Sequence, residues 1–154
     1  MRKFLPLALT FMLVLGIALP GFAAKSRFKA DLSGSQEVPA VKTEARGDFK
    51  LTVYKKELSF ELNVKGLTNV TGAYIQKGKK GENGPPIAGL FGGPTKEGAV
   101  NGILAEGTIT EESLLGEMQG KKIADLMRLL KSGNAYVNIL TGTFPDGEIR
   151  GQIK

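Results

Sequence analysis

The chain has 154 residues and a formal net charge of +6, with 21 Lys+Arg against 15 Asp+Glu. It contains 21 Gly and no Cys, His or Trp. Without Cys there is no disulfide framework, thiolate metal site or cysteine nucleophile. Without His there is no imidazole ligand and no histidine general base.

The first residues have the layout of a secretory leader. Met1, Arg2 and Lys3 form a positive start, Phe4 to Leu19 is uncharged and apolar, and Pro20 and Gly21 break the run. Gly21 and Ala23 put small residues at the −3 and −1 positions of a cleavage site. The apolar run is shorter than the ~20 residues a membrane span needs, and Pro6 interrupts it. The expected organisation is a signal peptide over 1–23 and a single domain over 24–154. The expected location is exported, periplasmic or extracellular, with no membrane contact after cleavage.

The remaining chain alternates with period two, the mark of half-buried strands. Phe28, Ala30 and Leu32 lead the first run, and Phe49, Leu51 and Val53 the second. Leu58, Phe60, Leu62 and Val64 make a third, joined to the second by Lys55, Lys56 and Glu57. Ala73 and Ile75 face away from Tyr74 and Gln76, and shorter candidates cover Ile87 to Phe91 and Gly102 to Ile109. Lys77 to Pro86 reads as a Gly/Pro/Lys loop. Ile123, Leu126, Met127 and Leu130 break the pattern with a helical stripe, stopped by Gly133 and Asn134. A short helix over Lys121 to Lys131 follows. Tyr136 to Thr143 and Glu148 to Ile153 then flank Phe144-Pro145-Asp146-Gly147 as a tight hairpin, with Phe144 opposite Glu148. That register gives Val137, Ile139, Thr141, Ile149 and Ile153 one face, the core face. Tyr136, Asn138, Leu140, Glu148, Arg150 and Gln152 take the other.

The predicted fold class is all-β. It is an antiparallel Greek-key β-sandwich of about seven to eight strands with one short helix near the C-terminal third. A barrel is the alternative.

Three blocks carry a family likeness. The first is Leu32-Ser33-Gly34-Ser35-Gln36-Glu37-Val38-Pro39. The second is Ala73-Tyr74-Ile75-Gln76-Lys77-Gly78 with Gly81-Glu82-Asn83-Gly84-Pro85. The third runs from Tyr136 to Thr141 and from Pro145 to Ile153. In order and spacing the chain resembles the CHRD domain, the module named for chordin. The resemblance implies an exported β-sandwich module without an established catalytic activity. The family's middle block usually reads Ala-His-Ile-His and its last block Asn-Val-His-Thr. Here those histidine positions hold Tyr74, Gln76 and Leu140. A histidine-bound metal is therefore not expected, and no cofactor is assigned. A metal-linked or redox protein of the superoxide-dismutase-like sandwich type is the alternative, disfavoured by the missing His and Cys.

No catalytic residue is expected. Glu37 lacks a partner carboxylate for acid–base chemistry, and a hydrogen bond to loop backbone is its expected role. Tyr74, Gln76, Asn138, Glu148 and Arg150 form a candidate recognition patch. Its competing reading is a cross-strand ion pair or hydrogen-bond network that fixes sheet register. Lys77, Lys79 and Lys80 form a basic tip that could contact a polyanion. The expected partner is an unknown protein or an anionic cell-envelope polymer, not a specific nucleic acid. Asn69-Val70-Thr71 matches a glycosylation sequon. A calcium-stabilised adhesion module finds no Asp-x-Asp cluster to support it.

Overall fold

A computed structural model describes residues 25–154. The leader expected over 1–23 lies outside the described residues. Among those residues no helix is long and apolar enough to cross a membrane.

Seven strands form one antiparallel sheet: β1 (Ser26–Ser33), β2 (Arg46–Tyr54), β3 (Glu57–Lys77), β4 (Pro86–Phe91), β5 (Lys96–Ile109), β6 (Ala135–Thr141) and β7 (Ile149–Gln152). The helix α1 spans Ile123–Lys131. Its first turn is capped by the Asp125 carboxylate, which accepts the Lys122 N–H at 3.0 Å.

β3 organises the rest. Its first half pairs with β2 and β5, and its second half with β6 and β4. The order β2-β1-β7-β6-β3 therefore returns to β2. The sheet closes into a barrel-like arrangement that is compatible with a two-layer sandwich. Residues 58–64 and 73–75, read from the alternation as separate strands, belong to this one element. Two kinks reconcile the pattern: Gly66 and Asn69 both take positive φ, 76° and 52°. Register shifts beside them move the buried positions from Leu58, Leu62 and Val64 to Leu67 and Val70, and then to Ala73 and Ile75. Irregular residues re-aim side chains across a strand in this way.

The core gathers Leu32 of β1, Phe49 and Leu51 of β2, Leu58, Leu62 and Ile75 of β3, Ile87 of β4, Ile109 of β5, and Val137, Ile139 and Ile149 of the last hairpin. Leu126 and Leu130 of α1 plug one end. Two members of the helical stripe are thus core, while Ile123 and Met127 pack against it half-buried.

The final hairpin corrects the sequence reading. Ile139 sits opposite Ile149 and Asn138 opposite Arg150. Phe144 does not face Glu148. The loop is longer because the Thr141 N–H donates to the Phe144 carbonyl, and the Phe144 N–H returns a bond to Thr141 Oγ1. The displacement is an even number of residues, so the two faces keep their expected membership.

Candidate functional site

On the outer face of β6 and β7, polar residues are buried rather than solvated. Asn138 is 3% exposed, Arg150 2% and Tyr136 1%. Two loops cover them: the segment 34–43 after β1, and the segment 78–85 between β3 and β4.

Arg150 anchors the second loop. Its guanidinium donates to Asn83 Oδ1 at 3.0 Å and to the carbonyls of Lys79 and Glu82. It lies 3.4 Å from the centre of the Tyr136 ring. The Tyr136 hydroxyl accepts the Gly84 N–H at 3.0 Å, and Gln152 Nε2 donates to the carbonyls of Gly78 and Gly133. Asn83 Nδ2 donates to the Val38 carbonyl at 2.7 Å, tying the two loops together. The Val38–Pro39 peptide is cis.

Glu148 does not pair with Arg150. Its two carboxylate oxygens accept the hydroxyls of Thr43 and Thr141, each at 2.8 Å. The cross-strand ion pair considered from the sequence is replaced by a set of hydrogen bonds that binds strands to loops. Tyr74 stands opposite Asn138 in the register, with its ring folded over Gly72. Leu140 stands opposite Gly72 in the register. Gln76 and Asn138 do come together, with Asn138 Nδ2 donating to Gln76 Oε1 at 3.2 Å and to the Asp146 carbonyl at 3.0 Å.

Those two bonds leave Asn138 Oδ1 buried with no partner. Glu37 Oε1 is likewise buried and unpartnered. The backbone hydrogen bond expected for this oxygen is absent. Both oxygens point at Gly147: a Cβ built there would lie 2.4 Å from Asn138 Oδ1 and 2.7 Å from Glu37 Oε1. Gly147 also has φ 135°, so hairpin conformation and space both require glycine. Glu37 and Asn138 help to line a cleft of about 530 Å³, together with Val38, Gln76, Asn83 and Phe144. The alternation gave the shared face of Gln76 and Asn138. It did not give Glu37, which arrives from an irregular loop far away in the chain. The buried orientation of Asn138 depends on Asp146, again beyond any local pattern.

Burial pushes the Glu37 carboxyl up to about 7, against a smaller opposing pull from the positive charge of Arg150. A native value above the ordinary 4.5 means that the folded protein holds a proton the unfolded chain releases. Stability should therefore fall as pH rises from about 4.5 to above 7, by up to about 3 kcal/mol. Urea melts of the protein and of Glu37→Gln across that window check this, and the variant should lose the slope.

The basic tip does not act as one cluster. Lys77 Nζ contacts Glu117 at 2.7 Å, which holds that carboxyl below its usual range. Lys79 and Lys80 are exposed on the loop that Arg150 anchors. No group of three or more metal-binding carboxylates occurs among the described residues.

The family model of the CHRD domain matches residues 28–153. The chain belongs to the CHRD-domain family. The curated proteins and the solved structures give no match to it. In this CHRD domain the three sequence blocks converge on the cleft: Glu37 and Val38 come from the first, Gln76 and Asn83 from the second, and Asn138 and Gly147 from the third. The likeness read along the sequence is thus also a meeting place in space.

Proposed function

We propose that this CHRD domain is an exported, non-catalytic binding module that takes an anionic cell-envelope polymer in the cleft between Glu37 and Asn138. The observation that supports this reading is the pair of buried oxygens, on Glu37 and Asn138, that have no hydrogen-bond partner. Leaving such atoms unpaired costs about 1–3 kcal/mol each, which a ligand's hydroxyl or amide N–H would recover. Lys79 and Lys80, exposed on the adjoining loop, supply attraction for negative charge.

The test is an NMR titration with soluble peptidoglycan fragments. Shifts should concentrate at the Asn138 side-chain amide and the backbone of residues 37–41 and 145–147. Glu37→Gln removes the titrating carboxyl and puts an amide N–H beside the cleft. It should raise stability at pH 8 and weaken fragment binding at least tenfold. Equal binding by Glu37→Gln, or shifts scattered over the surface, would reject this role for the cleft.

A further inference from the structure

A second cavity, which shares no lining residue with the Glu37 cleft, lies where α1 crosses the end of the sheet. It holds about 690 Å³, within the range of small-molecule sites. Val53, Leu58, Ile123 and Met127 form an apolar floor. Leu58 is fully buried, while Ile123 and Met127 are half-buried and present their remaining surface to the groove.

The rim is basic from both sides. Lys55 and Lys56 stand on the β2–β3 turn, and Lys122, Arg128 and Lys131 stand on or beside α1. Glu111 is the carboxylate in the wall, and Lys122 already engages it at 3.2 Å. Arg128 pairs with Asp125. Among the described residues no carboxylate pairs with Lys55, Lys56 or Lys131. Lys55 Nζ lies 5.4 Å from the centre of the Tyr54 ring, and the three cations, placed on both sides of the groove without a paired carboxylate, concentrate positive potential around it. Their methylene stems extend the apolar surface while the ammonium groups stay in water.

This pairing of surfaces selects a ligand of two parts. An apolar chain gains from covering the floor, and an anionic head gains from the rim. A nucleotide fits less well, since no aromatic ring lines the groove to stack a base. We propose that the groove between the β2–β3 turn and α1 binds a single-chain anionic amphiphile, acyl chain on the floor and head group among Lys55, Lys56 and Lys131. The site is independent of the cleft that contains Glu37.

The experiment is calorimetric titration of the protein as exported, its N-terminus defined by mass spectrometry. The probes are laurate, dodecyl maltoside and dodecyltrimethylammonium, each below its micellar concentration. Laurate should bind at least tenfold more tightly than the neutral and cationic probes, and raised salt should narrow the difference. The surface variant Lys55→Glu/Lys56→Glu/Lys131→Glu should lose at least tenfold in laurate affinity with an unchanged melting profile. Met127→Glu, which places charge on the floor, should lose binding as well, whereas Glu37→Gln should retain it. Equal affinity for all three probes overturns the proposal, as does unchanged laurate binding in the triple variant. Binding to phosphatidylglycerol vesicles without binding to laurate monomers overturns it in favour of a membrane surface.

Discussion

Arg150→Ala should lose about 4 kcal/mol of folding stability, read as a lower urea midpoint at unchanged slope. The guanidinium is buried, and its acceptors are neutral: Asn83 Oδ1 and the carbonyls of Lys79 and Glu82. Hydrogen bonds from a charged donor contribute roughly 1.5–3 kcal/mol each, and removing the donor leaves partly buried carbonyls unpaired. Contact with the Tyr136 ring face adds about 1–2 kcal/mol in a desolvated setting. Only part of this sum appears, because the loop can swing into water and recover hydration. Arg150→Lys should restore less than half of the loss. A lysine cannot fork between several acceptors and lie flat on a ring at once.

Gly84→Ala should cost about 3 kcal/mol. A Cβ at residue 84 would lie 1.7 Å from the Lys77 carbonyl oxygen. That oxygen belongs to the end of β3, whose neighbouring strands hold it, so the loop must move instead. Moving the loop breaks the bond from the Gly84 N–H to the Tyr136 hydroxyl and pulls the carbonyls of residues 79 and 82 away from Arg150. The two substitutions disrupt one network, so the double variant should lose clearly less than the sum of the singles. Denaturation of the full double-mutant cycle measures this coupling. Additive losses would mean that the loop is held by contacts other than Arg150 and Tyr136.

What could be read along the chain, and what could not, follows from the range of each interaction. The strands and the helix were legible because their signal is local: Leu58 and Leu62 alternate, and Ile123, Met127 and Leu130 recur at helical spacing. The two faces of the final hairpin were legible even with the wrong turn, since an even displacement preserves them. The unity of β3 was not, because Gly66 and Asn69 interrupt the alternation and look like breaks. The burial of Tyr136, Asn138 and Arg150 was not legible either. A polar residue on the far side of a strand reads as exposed, and only the loops over it say otherwise. The same limit hid the cleft: Glu37 and Asn138 meet across about a hundred residues of chain. The family blocks marked where to look but not what the residues there would do to one another.

The way the sheet closes also has a kinetic side. Lys29 of β1 exchanges backbone hydrogen bonds with Lys154 at 2.9 Å, and Ser33 pairs with Arg150. Until those residues are made, the outer edge of β1 has no partner. A chain synthesised from its amino end can form the β1–β2–β3 meander early, but it cannot complete the ring. Folding is therefore gated by the arrival of the C-terminal strand, and non-local pairings of this kind place it among slow folders, on the millisecond-to-second scale. Until β7 docks, β1 and β6 each keep a free edge, so the one pairing that joins them turns an open ribbon into a closed surface.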